Sequence, residues 1–157
     1  MRQCTFGGVS PQRVVSVRDP YSFVRSMYIY TWSCEYSDWC SRGYQPWMEF
    51  GEFVKNSLEP GAHATQSASV ERACGHPCKY DHLLRTEHLT ADWTALMRQT
   101  GRQVWQLPRS NPSKNGPMGP PPRTVFTREV TDIIERVEAP IFEQFGYRKR
   151  EPPFELS

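Results

Sequence analysis

The chain is 157 residues long, with 38% hydrophobic and 23% charged residues, the length of one ordinary domain and a polar composition for that length. A formal net charge of +2 is too small for the concentrated basic footprint of a duplex binder, so a nucleic-acid polymer is not an expected partner. No stretch approaches the roughly 20 consecutive apolar residues of a membrane helix, and Met1-Arg2-Gln3-Cys4 does not open an apolar signal segment.

In chain order, Arg13-Val14-Val15-Ser16-Val17 reads as a short β-branched strand that stops at Arg18-Asp19-Pro20. Asp19 is a good N-cap and Pro20 suits a first helical turn, which predicts a helix from Tyr21 to about Trp32 with Phe23, Met27 and Tyr30 or Ile29 on its apolar face. Residues 33–45 are aromatic and polar without a period, and Pro46 to Leu58 carries Trp47, Phe50 and Phe53 or Val54 at helical spacing. Glu59 to Pro77 reads as loop. Tyr80 to Glu87 has the length and Leu83-Leu84 centre of a second buried strand, and a helix opens at Thr90 with Trp93, Leu96 and Met97 on its face and Gly101 at its end.

Six of the fourteen prolines lie between Pro108 and Pro122, and their fixed φ and missing donors predict a long irregular loop over 107–123. Thr127 then begins a helix whose Val130, Ile133, Ile134, Val137 and Ile141 form one amphipathic stripe through to Phe145-Gly146. Residues 148–157 read as a frayed tail. The order of elements predicts a single α/β domain over 1–157, with a short parallel sheet flanked by helices.

Three groups of residues carry chemistry. Arg18 at the carboxyl end of a strand and Ser26 eight residues on in the next helix can face the crevice above a sheet, where a guanidinium, a hydroxyl and a helix N-terminus suit one anion. Ser113-Lys114 in the Pro/Gly loop offers a hydroxyl, backbone N–H groups and an ammonium to a phosphate. Of five cysteines, Cys34, Cys40, Cys74 and Cys78 form two close pairs, with Cys4 left over, and suit disulfides either within or across the pairs. Their spacing with His76 makes a weak zinc framework, so no metal is expected. The nineteen basic residues include only Lys55, Lys79, Lys114 and Lys149 as lysines, a bias toward the planar fork that suits oxyanions.

The segment Arg18-Asp19-Pro20 with Ser26 eight residues after the arginine resembles the sulfotransferases that use 3′-phosphoadenosine 5′-phosphosulfate (PAPS), in particular their carbohydrate branch. In that family a strand ends in Arg-Asn/Asp-Pro and the helix serine completes the 3′-phosphate site. A second arginine often follows five residues after the first, and Phe23 stands there in this chain. Three later segments are similar in the same order: Cys74 to Leu89 followed by Asp92, Leu107 to Lys114, and Phe142-Glu143-Gln144-Phe145-Gly146-Tyr147.

The resemblance implies a partial P-loop-like sulfotransferase fold. It also implies transfer of a sulfuryl group from PAPS to a hydroxyl of a carbohydrate, with Arg18 and Ser26 on the 3′-phosphate and Ser113 and Lys114 in a nucleotide lid. It implies the Golgi lumen as the compartment, the cytoplasm being the alternative. The family's lysine-bearing 5′-phosphosulfate loop and its catalytic base precede the Arg-Asp-Pro strand. Gly7-Gly8-Val9-Ser10 has no lysine, so both are expected upstream of this chain, in a longer protein. The alternative is a non-catalytic, disulfide-stabilised binding or interaction module derived from such an enzyme.

Overall fold

The computed structural model describes residues 12–33, 48–58, 65–107 and 123–156. They form β1 (Val14–Val17), α1 (Pro20–Ser33), α2 (Phe50–Leu58), α3 (Gln66–Cys74), β2 (His82–Arg85), a 3-10 turn (Thr86–His88), α4 (Leu89–Gln99), β3 (Val125–Phe126), α5 (Arg128–Val137), α6 (Ala139–Phe145) and β4 (Phe154–Glu155). The expected mixture of helices and short strands is therefore present. The chain divides into two compact units, Met1–Arg18 with Val70–Leu107 and Asp19–Ser69 with Pro108–Ser157. No helix among the described residues is long and apolar enough to cross a membrane.

The first unit is organised on β1 and β2, which pair in parallel with Val14 opposite His82, Val15 opposite Leu83, Ser16 opposite Leu84 and Val17 opposite Arg85. Alternation along β1 buries Val15 and Val17 and exposes Val14 and Ser16, as the period of two requires. Leu84 of β2 packs with Leu96 and Met97 of α4, and Leu89 and Trp93 cover the cluster. α4 ends in a Schellman motif. Arg102 N–H donates to Met97 O at 2.8 Å and Gly101 N–H to Arg98 O at 3.1 Å, around a Gly101 φ of +66°, where a side chain would be strained.

The second unit holds the larger core. Tyr21, Val24 and Tyr28 of α1, Phe50, Phe53, Val54 and Leu58 of α2, Phe126 of β3, Val130, Ile133 and Ile134 of α5 and Phe142 of α6 form one cluster. Aromatic edges dominate it: Tyr21 meets Phe126, Phe142 and Phe154 edge-on with ring centroids 5.7, 5.4 and 5.1 Å away, a geometry favoured by the ring quadrupole. The buried face of α1 is therefore not the expected one. Tyr21, Val24 and Tyr28 point inward, Phe23 and Met27 flank them, and Tyr30 is 53% exposed.

Three further elements depart from the sequence-based expectation. The predicted loop before Pro77 contains α3. The single stripe from Thr127 to Phe145 is two helices, because Pro140 sits in the first turn of α6, lacks an N–H for the carbonyl four residues back and so ends α5 before it. The tail is not frayed: β4 pairs antiparallel with β3, Val125 opposite Glu155 and Phe126 opposite Phe154. Phe154 stacks on Phe126 with centroids 4.7 Å apart.

Candidate functional site

β1 and β2 are held in register at both ends by side chains. At the amino end Asp81 N–H and His82 N–H donate to Arg13 O, and Arg13 N–H donates back to Asp81 Oδ2 at 2.7 Å. That backbone donor, with the Arg13 guanidinium at 3.6 Å, holds the Asp81 carboxyl below the usual carboxylate range. At the carboxyl end Thr86 Oγ1 donates to Val17 O at 3.1 Å, and Asp92 Oδ2 accepts from Arg85 N–H at 2.7 Å. Asp81, Thr86 and Asp92 are thus clasps of the sheet. Arg18 follows directly, half-buried, as the last residue of the first unit.

The second of the close cysteine pairs is a disulfide, Cys74–Cys78, closing a five-residue loop between α3 and β2. Cys78 is buried, Gly75, His76 and Pro77 are exposed, and Gly75 takes a φ of +80°. This local pairing replaces the cross-pairing alternative for Cys74 and Cys78. Cys34, Cys40, Ser113 and Lys114, as well as the loop over 108–122, lie outside the described residues.

In the second unit Asp19 caps α1. Its Oδ1 accepts from Ser22 N–H at 2.8 Å and its Oδ2 faces Arg150 at 3.5 Å. Two turns of α1 then present Ser22, Arg25 and Ser26, all half-buried. Arg25 Nε donates to Thr124 Oγ1 at 3.2 Å, and Thr124 itself is buried. Ser26 is thus a helix residue accessible in part to solvent. Arg25 stands two residues beyond Phe23, the position of the family's second arginine, and on a different helix face from it. Its signal in the sequence was only its position, i and i+3 from Ser22, on the same helix face.

Below this face Tyr21 is fully buried, and its hydroxyl donates to Glu135 Oε1 at 2.6 Å and accepts from Arg150 N–H at 3.2 Å. Burial, reinforced by Glu135, pushes its phenol well above the usual range. Arg150 lies over the Tyr21 and Phe154 rings at 5.7 and 5.5 Å, and Lys149 reaches Glu135 Oε2 at 3.0 Å. These groups satisfy one another and tie the C-terminal segment down. The Phe-Gly-Tyr end of the last motif is likewise structural here: Phe142 and Phe145 are buried, and Gly146 terminates α6 with a φ of +71°.

Glu138 is the most deeply placed carboxylate, with no exposed surface. Its Oε1 accepts from Gln66 N–H at 2.7 Å, and its Oε2 from Ser67 N–H at 2.8 Å and Ser67 Oγ at 2.6 Å. Thr65 Oγ1 accepts from Ala68 N–H at 3.1 Å, so the open donors of the first turn of α3 are shared between two caps. Burial pushes the Glu138 carboxyl up, against the pull of the Ser67 and Gln66 donors. Its oxygens are committed to the fold rather than to a ligand.

Among the described residues no group of three or more His, Cys, Asp or Glu side chains is placed to hold a metal ion. Comparison of the chain with protein-family models, with curated proteins and with solved structures found no match.

Proposed function

We propose that the chain is part of a PAPS-dependent sulfotransferase of the carbohydrate type, in which Arg18 and Ser26 hold the 3′-phosphate of the donor nucleotide. The observation that carries the reading is the segment Val14–Ser26. A strand ends at Val17, Arg18 follows it, Asp19 caps a helix that begins at Pro20, and Ser26 comes two turns into that helix. A guanidinium gives a 3′-phosphate charge-assisted, bidentate hydrogen bonds, and a hydroxyl adds a neutral donor. The parallel pairing of β1 with β2, and α4 after it, agree with a sheet of the α/β kind.

In this reading Ser113 and Lys114 belong to the lid, the acceptor is a hydroxyl of a glycan, and the fold is a partial P-loop-like sulfotransferase fold. The Cys74–Cys78 disulfide suits an oxidising compartment such as the Golgi lumen. The same disulfide favours a second reading, a non-catalytic module that keeps the scaffold of the nucleotide site without the chemistry.

Calorimetry with 3′-phosphoadenosine 5′-phosphate on the full chain tests the first reading. Wild type is expected to bind, and Arg18→Ala to bind at least about tenfold more weakly, the order of a lost charge-assisted pair. A folded wild type that does not bind, or binding indifferent to Arg18, overturns it in favour of the module.

A further inference from the structure

The Cys74–Cys78 disulfide belongs to the first unit and joins the end of α3 to the segment that leads into β2. Its two sulfurs have different surroundings. Cys78 is buried, with 5% of its surface exposed, whereas Cys74 is half-buried and the three residues between them, Gly75, His76 and Pro77, are exposed. A thiolate attacks one sulfur of a disulfide and expels the other, so the rate depends on which sulfur can be reached. The open side here is that of Cys74, which makes Cys78 the departing sulfur.

The structure also accommodates the reduced form. Cys74 Sγ stands 3.1 Å from Val70 O, one turn back in α3. As a disulfide sulfur it has no proton to donate there, whereas the thiol formed by reduction has one and finds its acceptor in place. Cys78 becomes a buried thiol, which behaves as a small apolar side chain. The elements on either side keep ties of their own. Gly75 N–H donates to Glu71 O at 2.7 Å and ends α3 with a φ of +80°, and Asp81 is bound to Arg13 at the amino end of β2. Both thiols remain within five residues of chain, so the bond re-forms against a small loop-closure cost.

We propose that Cys74–Cys78 is a reversible thiol–disulfide exchange site, with small soluble thiols and dithiols as its partners, and that it sets how firmly the segment entering β2 is held. In the first step a thiolate bonds to Cys74 Sγ, the Cys74–Cys78 bond breaks, and Cys78 leaves with the electron pair and takes up a proton. A second thiolate then attacks the external sulfur of the mixed disulfide and releases Cys74, which is protonated in turn and donates to Val70 O. Two external thiols become one disulfide, and the protein disulfide becomes two thiols. The site is independent of the nucleotide reading, in which neither cysteine takes part.

Trypsin cleavage after Arg72 and Lys79 isolates Ala73–Lys79, which contains Cys74 and Cys78 and no other cysteine. After an alkylation quench, the mass of this peptide reports disulfide, mixed disulfide or dithiol in the full chain. Dithiothreitol is expected to reduce the bond in the folded chain at no less than about a hundredth of its rate in the urea-unfolded chain. A bond reached only through global unfolding is protected roughly a thousandfold or more. The reduced chain is expected to keep a folded amide spectrum, and oxidised glutathione to restore the disulfide within Ala73–Lys79.

The assignment of the attacked sulfur has its own arm. With oxidised glutathione, Cys78→Ser is expected to form a mixed disulfide at Cys74 about tenfold or more faster than Cys74→Ser forms one at Cys78. A slower native reduction, loss of the folded spectrum on reduction, or a smaller or reversed preference for Cys74 overturns the proposal. Should neither single variant fold, the reduction rate and spectrum of the wild type decide it alone.

Discussion

Tyr28 and Ser57, both buried, illustrate opposite fates of a buried hydroxyl. Tyr28 donates to Met48 O at 2.9 Å, and burial pushes its phenol up to about 12, with Glu49 adding to the effect. The folded state therefore favours the protonated phenol. Its contribution is complete below the ordinary value of 10.0 and is lost as pH rises through about 12. At neutral pH Tyr28→Phe is expected to cost about 1 kcal/mol for the lost hydrogen bond. In urea unfolding at about pH 8 and about pH 11 the gap between wild type and variant should narrow at the higher pH. A constant gap would show that the phenol titrates alike in both states. Ser57, by contrast, is fully buried in α2 and its Oγ has no partner. Ser57→Ala removes an unsatisfied group and raises helix propensity, so stability should rise by roughly 0.5–2 kcal/mol in the same measurement. Both residues were legible as helical. Neither hydroxyl's fate was, because it depends on which atoms other elements bring near.

The element that the sequence concealed is α3. Its nine residues, Gln66–Cys74, carry few apolar side chains, so no periodic stripe marks them as a helix. A helix this short is not self-supporting in water. Its first turn is held instead by Glu138, some seventy residues later in the chain, together with Thr65. Glu138→Gln keeps the size but sets an amide NH₂ where an acceptor is needed, facing either Gln66 N–H or the Ser67 pair. It is expected to lower the melting midpoint by an amount equivalent to about 1–3 kcal/mol. The helical signal near 222 nm should begin to fall before the near-ultraviolet signal of the aromatic core, and coincident loss of both would count against a local role. β4 was hidden for a related reason: two residues, Phe154–Glu155, become a strand through pairing with β3 and stacking on Phe126, and two residues have no period to read. The α5 to α6 break, in contrast, was written in the sequence at Pro140, whose missing N–H outweighs the continuity of the apolar stripe.

At the scale of the whole molecule the two units rest on unequal foundations. The second has a core of twelve buried residues, whereas the first has a two-stranded parallel ladder and a cluster of three buried residues. A unit with so little apolar burial depends on constraint of its unfolded chain. The Cys74–Cys78 disulfide supplies it: by chain-entropy reasoning a loop of five residues contributes roughly 2 kcal/mol. Reduction is expected to speed hydrogen exchange at the β1 and β2 amides by about tenfold or more. Unchanged exchange after complete reduction would assign the stability of the ladder to the Arg13–Asp81 and Thr86–Val17 clasps alone.

The sequence by itself determined the α/β character, the β1-turn-α1 segment with Asp19 as its cap, β2, α4 with Gly101 at its end, and the position of Arg18 and Ser26 on those elements. These are local properties: alternation, helical spacing, caps and glycine conformations act between residues a few positions apart. Only the tertiary structure decided that α3 exists, that β4 closes on β3, that Tyr21, Val24 and Tyr28 are the inward face of α1, and that Arg25 meets Thr124 without an ion pair. Each of those depends on groups about thirty to one hundred residues apart, or on a competition between two apolar faces of one helix. A linear pattern carries no record of such meetings, since burial and hydrogen-bond satisfaction are settled by which distant surfaces pack together.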